Sequence, residues 1–130
     1  MKFYKMMKDP SSNFLSHYKE LFTSLLRLLH PDKYFMAIQR MPNIRFHLPG
    51  TVVVPPHKDT DDALYLTKHP TGETNFILAV TRSFGTSSMY IESAPDAGDY
   101  RLVELEPGEV LIFDGNNCTH GNLVNVEVSE

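Results

Sequence analysis

Residues 107–122 read PGEVLIFDGNNCTHGN, in which a turn, an apolar run, a second turn and a histidine follow one another closely. Pro107-Gly108 and Asp114-Gly115 are turn signals, and the EVLIF run between them has the length and composition of a buried strand. His120 comes directly after the second turn. This stretch predicts a strand that ends in a turn, with a histidine where the chain comes back.

Short strands and turns of the same kind fill the chain from about residue 43 onward. Seven or eight short strands in about ninety residues predict an antiparallel sandwich or barrel, of which the jelly roll is one form. The predicted strands are NIRFHL (43–48), TVVV (51–54), ALYLT (63–67), TNFILAVT (74–81), SMYIE (88–92), YRLVEL (100–105), EVLIF (109–113) and LVNVEV (123–128).

The N-terminal third has a different pattern. The serines of Pro10-Ser11-Ser12 can cap a helix over NFLSHYKELFTSLLRLLH, and His30-Pro31 is its natural end. We expect its apolar stripe to lie against the rest of a single domain, residues 1–130, with a helical segment over 1–42 and a β-barrel over 43–130. The stripe consists of Phe14, Tyr18, Leu21, Leu25 and Leu28.

Composition and charge exclude several classes of protein. A chain of 130 residues with 42% hydrophobic and 22% charged residues is typical of one globular domain. The single cysteine, Cys118, excludes an internal disulfide and fits a reducing compartment, and no apolar run has the length of a membrane span. We therefore expect a cytoplasmic protein with no membrane partner.

The charges are unevenly distributed. Residues 1–47 carry eight basic and three acidic side chains, whereas residues 48–130 carry four basic and thirteen acidic ones. An acidic body repels phosphate backbones, so we expect no nucleic-acid partner. A small-molecule ligand is the partner that this half of the chain favours.

The candidate metal ligands come from the stretch VVVPPHKDTDD, residues 52–62. In an extended strand, residues two apart project from the same face, so His57 and Asp59 point together while Lys58 points away. His120 offers a third ligand 61 residues after Asp59. Two histidines and one carboxylate with open positions form the facial triad of non-haem Fe(II) oxygenases, although zinc or nickel can occupy such a site after purification.

These segments together carry a resemblance to a known family. The order of Pro49-Gly50, then Pro55-x-His57-x-Asp59, then the late PG…F…HG…N of residues 107–122 resembles the 2-oxoglutarate and Fe(II)-dependent oxygenase superfamily. More narrowly, it is similar to the phytanoyl-CoA dioxygenase-like branch and its antibiotic-biosynthesis relatives, over about residues 44–125.

The resemblance implies a fold, a cofactor and an activity. The fold is a mainly β double-stranded β-helix, which is a jelly-roll, cupin-like barrel. It also implies that His57, Asp59 and His120 bind Fe(II), that 2-oxoglutarate is the cosubstrate, and that a small molecule such as an amino acid or natural-product precursor is hydroxylated. By family position, Asn75 is a candidate donor to a cosubstrate carboxylate.

One feature of the family is missing. Its members hold the distal carboxylate of 2-oxoglutarate with an arginine after the second histidine, but the chain after His120 reads GNLVNVEVSE. The chain is therefore a truncated copy of a longer reading frame, or another base anchors the cosubstrate, or the site no longer binds it. Arg45, in the alternating NIRFHL run, is the best substitute, and a surface role is the alternative for it. A non-catalytic cupin-like metal- or ligand-binding barrel is the alternative function.

The C-terminal edge predicts an assembly. If the barrel lacks its last strand, the LVNVEV strand keeps unpaired amide and carbonyl groups that readily recruit another chain. We expect a homodimer, formed at this edge or by packing of the N-terminal helix. The alternative is a monomer whose edge that helix covers.

Overall fold

The computed structural model describes residues 2–32, 37–61, 69–70 and 72–127. The chain divides into two compact units, Met1–Ile44 and Arg45–Glu130. The predicted strand over residues 63–67 lies outside the described residues. Within them, no helix combines the length and the apolar character that crossing a membrane requires.

The first unit contains two helices, α1 (Lys2–Lys8) and α2 (Phe14–Leu29). Helix α2 is the predicted helix, and it ends one residue before His30-Pro31. The N-cap residue is Asn13, which makes no side-chain capping hydrogen bond, but the preceding Ser12 hydroxyl accepts a hydrogen bond from the Phe14 N–H at 3.2 Å. No residue of α2 is fully buried, and Leu28 of the apolar stripe remains 78% exposed.

The second unit is built from two antiparallel sheets. In the first sheet, β1 (Asn75–Leu78) pairs with β4 (Val110–Phe113). In the second, β2 (Met89–Ile91) lies between β3 (Arg101–Val103) and β5 (His120–Asn122). The predicted mainly β class is therefore confirmed. The strands of the described residues do not close into a barrel.

An irregular extended segment, residues 50–57, runs along the free edge of β5. Asn122 N–H donates to the Val54 carbonyl at 2.8 Å, and His57 and His120 exchange backbone hydrogen bonds at 3.0 and 2.9 Å. The predicted TVVV strand is thus wrong as a regular strand, because Pro55 and Pro56 have no N–H to donate to the ladder. The NIRFHL run forms no strand either.

The predicted last strand is also displaced. Strand β5 occupies residues 120–122, and residues 123–127 of the LVNVEV run form no strand. The N–H of Val126 donates to the Thr86 hydroxyl at 2.9 Å, and the N–H of Glu127 donates to Oδ1 of Asn125 at 2.9 Å. The backbone of Asn125 accepts from the Gly50 N–H at 2.7 Å and donates to the Thr51 carbonyl at 3.0 Å, so side-chain acceptors take the place of strand pairing only at Val126 and Glu127.

The pairing of β1 with β4 separates two faces of the first sheet. Asn75 and Phe113 are directly opposite each other and share one face, and the Phe113 ring contacts the His120 ring edge-on at 4.9 Å. The other face is apolar and partly exposed, with Leu78 at 42% and Ile112 at 40%. One face of the sheet is therefore directed toward His120, and we call the other its outward face.

Candidate metal centre

The two histidines meet because their backbones pair. The extended segment 50–57 brings His57 opposite His120 in an antiparallel bridge, and the two ring centroids are 4.3 Å apart. Gly121 permits this approach, since a Cβ there would come within 2.9 Å of the Pro56 nitrogen. Both histidines are buried.

Asp59 completes a cluster of three buried ligands. Its backbone N–H donates to the Gly115 carbonyl at 2.8 Å, at the turn that leads from β4 to β5. Its Oδ1 lies 3.3 Å from Nε2 of His57 and 3.7 Å from Nε2 of His120. One ligand atom from each residue lies within 4.8 Å of the others. The structure thus brings the three sequence-predicted ligands together.

Backbone carbonyls orient both rings. Nδ1 of His57 faces the Pro55 carbonyl at 2.8 Å, and Nδ1 of His120 faces the Cys118 carbonyl at 3.1 Å. A carbonyl only accepts, so Nδ1 carries the proton in each ring and Nε2 is the ligating nitrogen. Hydrogen bonds of this kind are what metal-ligating histidines ordinarily make with their second nitrogen.

The donor set fits a divalent first-row ion. Ligands about 2.1 Å from one ion are about 3 Å apart at right angles and about 3.4 Å apart at tetrahedral angles, and the separations from Oδ1 of Asp59 are 3.3 and 3.7 Å. Burial lowers the pKa of His120, which favours the neutral imidazole that binds a metal. Two imidazoles and one carboxylate suit iron, zinc, nickel or cobalt, so the triad could bind a metal without selecting one.

Asn75, a predicted cosubstrate residue, contacts the candidate metal ligand Asp59. Its Nδ2 donates to Oδ2 of Asp59 at 2.8 Å, and its Oδ1 accepts from the Gly115 N–H at 3.2 Å. Sequence reasoning missed this contact because the strand beside Asp59 cannot be identified from spacing. Its role toward a cosubstrate stays a prediction.

Arg45, the other predicted cosubstrate residue, has an exposed side chain. Burial is the main cause that lowers the pKa of His120, and the positive charge of Arg45 makes only the smallest contribution in the same direction. The contact of Arg45 with 2-oxoglutarate stays a prediction. Lys58 points elsewhere, because its Nζ lies 2.6 Å from Oδ1 of Asp96.

Glu92 is a buried carboxylate that sequence reasoning did not single out. It accepts hydrogen bonds from the N–H of Thr119 at 2.7 Å and from the N–H of Gly98 at 3.1 Å. It thereby fixes the residue before His120. Its position at the end of SMYIE, where a polar strand end is ordinary, gave no signal of this contact.

Comparison with known proteins gives one relative. The chain is 36% identical over 104 residues to the streptomycin biosynthesis protein StrG of Streptomyces griseus. The match covers 79% of this chain and 46% of StrG, so the chain spans about half the length of this curated relative. No family model and no solved structure matches the chain.

Proposed function

We propose that the chain is a non-haem Fe(II)- and 2-oxoglutarate-dependent oxygenase that hydroxylates a small molecule, such as an amino acid or natural-product precursor. The observation that carries the proposal is the buried cluster of His57, Asp59 and His120, with two Nε2 atoms facing one carboxylate oxygen. This set leaves coordination positions open, as the oxygenase facial triad does. The resemblance to antibiotic-biosynthesis oxygenases and the name of StrG point to the same class of substrate.

The proposed fold is the double-stranded β-helix. The two antiparallel sheets would be its opposing halves, with β1 and β4 on one side and β3, β2 and β5 on the other. Phe113 and His120, one from each sheet, have rings in contact. This contact supports the proposal that the metal site lies between the two sheets.

Fe(II) and 2-oxoglutarate, when bound, would supply an oxidation by dioxygen in which 2-oxoglutarate is converted to succinate and carbon dioxide. The chain's own residues have other tasks. His57, Asp59 and His120 would hold the ion, and their burial excludes bulk water from it. The positive charge of Arg45 would attract the distal carboxylate of the cosubstrate. A guanidinium matches a carboxylate with two charge-assisted hydrogen bonds.

A second candidate is the non-catalytic metal- or ligand-binding barrel. The observation that favours it is that Arg45, the candidate cationic anchor, is exposed whereas the three candidate ligands are buried. A carboxylate without a cationic partner in a buried site binds weakly, because desolvation is not offset. The two candidates differ in whether 2-oxoglutarate binds.

The test has two measurements on the purified chain. We expect Fe(II) or Co(II) to bind one ion per chain in calorimetry. We expect 2-oxoglutarate, Fe(II) and ascorbate together to yield succinate, at a low rate. Metal binding without succinate formation would support the second candidate, and the absence of metal binding would exclude the oxygenase.

Arg45→Gln gives the sharper comparison. Loss of a charge-assisted pair costs about 1.5–3 kcal/mol, so 2-oxoglutarate affinity should fall about tenfold or more. Arg101→Gln is the matched control, since Arg101 is exposed and lies 3.4 Å from Asp99. Equal effects of the two substitutions would exclude Arg45 as the anchor.

A further inference from the structure

We propose that Asn75 is a positioning residue that restricts Asp59 to one metal-coordinating oxygen. The inference rests on the proposed function, because it concerns how the same site holds its ion. Oδ1 of Asp59 faces both histidine Nε2 atoms, whereas Oδ2 accepts the hydrogen bond from Asn75. The two oxygens of one carboxylate therefore have different partners.

The orientation of the Asn75 amide follows from its neighbours. A carboxylate oxygen only accepts and a backbone N–H only donates. Nδ2 must therefore face Asp59, and Oδ1 must face the N–H of Gly115. In the flipped amide, Oδ1 would face Oδ2 of Asp59, so two acceptors would meet, and Nδ2 would face the Gly115 N–H, so two donors would meet. The side chain has one stable orientation, and in it Nδ2 holds Oδ2 of Asp59.

Three hydrogen bonds close a ring around this carboxylate. Asp59 N–H donates to the Gly115 carbonyl, Gly115 N–H donates to Asn75, and Asn75 donates to Asp59, at 2.8, 3.2 and 2.8 Å. The ring joins the segment that carries His57 and Asp59 to β1 and to the turn after β4. It fixes both the backbone and the side chain of Asp59.

Gly115 leaves no spare room in this ring. A Cβ at residue 115 would overlap with Oδ2 of Asp59 and with the amide of Asn75. Gly115 does not have a positive φ, so its backbone conformation does not require glycine. Close approach of the two side chains is what requires glycine at this position.

The consequence concerns the open coordination positions. A carboxylate that binds through one oxygen occupies one position, and one that binds through two occupies two. By holding Oδ2, Asn75 leaves the second position for a ligand from outside the chain. Loss of Asn75 would release Oδ2 to turn toward the ion.

The experiment uses Zn(II) alone as the probe, with Asn75→Ala and the matched control Asn125→Ala. Asn125 is a buried amide whose Nδ2 donates to the His47 carbonyl at 2.8 Å and whose Oδ1 accepts from the Glu127 N–H at 2.9 Å. Asn125→Ala therefore also removes one hydrogen bond that an amide donates and one that it accepts from a backbone N–H, but neither bond involves Asp59. Loss of a residue that supports a metal ligand typically weakens metal binding 10–100-fold. We expect about this loss of Zn(II) affinity in Asn75→Ala and none in Asn125→Ala.

A second readout reports on the carboxylate itself. In infrared spectra, the antisymmetric and symmetric carboxylate stretches are far apart for one-oxygen binding and closer for two-oxygen binding. At saturating Zn(II), the difference spectrum between loaded and metal-free protein should show the wide separation in the parent chain and in Asn125→Ala. It should show a narrower one in Asn75→Ala. A loss of fold stability alone would not move this signal.

Gly115→Ala provides an independent variant, since its Cβ displaces the same two groups. It should lower Zn(II) affinity and change the carboxylate bands in the same way. Unchanged bands at saturating Zn(II) in both variants would overturn the inference, as would an equal loss of affinity in Asn125→Ala. If the parent chain does not bind Zn(II), the proposed function fails and this inference fails with it.

Discussion

The metal centre and the outward face of the β1–β4 sheet reverse the usual distribution of polar and apolar residues. At the centre, His57, Asp59 and His120 are each at most 6% exposed. On the outward face, Leu78 and Ile112 are about two-fifths exposed, and Val80 beyond β1 is 82% exposed. Among the residues of this unit that the structure describes, the buried side chains are more often polar than apolar.

This difference has an energetic meaning. Burying a polar group is costly unless its hydrogen bonds are made, and here backbone carbonyls and N–H groups satisfy the ligands. The remaining ligand atoms face one another, an arrangement that a cation would stabilise. Metal binding should therefore contribute a large part of the stability of the unit, as it does where sites and folds are coupled.

The largest expected effect comes from removing a ligand. Zn(II) at 100 times its Kd should add about 2.7 kcal/mol to the free energy of unfolding of the parent chain. His120→Ala should abolish this gain, because the ion would lose one of three ligands. The measurement is the shift of Tm on adding Zn(II) and its reversal by a chelator.

His17→Ala is the control for this prediction, since the His17 side chain is 74% exposed and lies on α2. It should keep the full shift. If the Tm of the parent chain does not respond to Zn(II), metal binding does not contribute to the stability of this unit. The buried polar residues would then be stabilised by their hydrogen bonds alone.

The sequence predicted which residues form the candidate metal site better than it predicted the strands. His57 and Asp59 could be paired because they are two residues apart in an extended segment, and His120 because it follows a strand and a turn. Pro55 and Pro56 supported the family resemblance, yet they directly follow the predicted TVVV strand and remove two N–H donors from the segment beside β5. The same residues therefore identified the site and obscured the pairing.

The contacts around the ligands could not be predicted. The contact of Asn75 with Asp59 depends on which strand lies beside the segment that carries Asp59. Hydrophobic patterns do not specify which strands lie next to each other. Gly115 resembled an ordinary turn glycine, although close packing requires it. His47 resembled a strand-end residue, but its two ring nitrogens face the carbonyls of Ser87, Thr51 and Leu123 at 3.0–3.1 Å.

A smaller effect is expected at the exposed apolar residues. The predicted homodimer would bury Val126, which is 69% exposed. Burying a valine contributes about 1.5 kcal/mol, so Val126→Lys should weaken the dimer about tenfold or more in light scattering. Its backbone N–H already has a partner in Thr86, so the contact would be through side chains rather than strand pairing.

Val80→Lys distinguishes between two candidate dimer interfaces, the C-terminal segment and the outward face of the β1–β4 sheet. If Val80→Lys dissociates the dimer and Val126→Lys does not, the sheet face is the interface. A monomeric parent chain at all concentrations would refute the homodimer. Either result would show whether the exposed apolar residues form a dimer interface.

The smallest expected effect is the pH dependence due to Glu92. The N–H groups of Thr119 and Gly98 hold its pKa below the ordinary value, while burial acts in the opposite direction. A carboxylate with a lowered folded-state pKa stabilises the fold above its unfolded-state pKa, and this contribution is lost as pH falls through the folded-state pKa. The metal-free chain should therefore lose stability as the pH falls below about 4.3, the ordinary pKa of a glutamate, and Glu92→Gln should lose less across the same pH range, measured by denaturant unfolding. Glu20→Gln, at an exposed position on α2, is the control and should follow the parent chain. An identical pH profile for Glu92→Gln and the parent chain would show that the buried carboxylate does not contribute to the acid sensitivity of the fold.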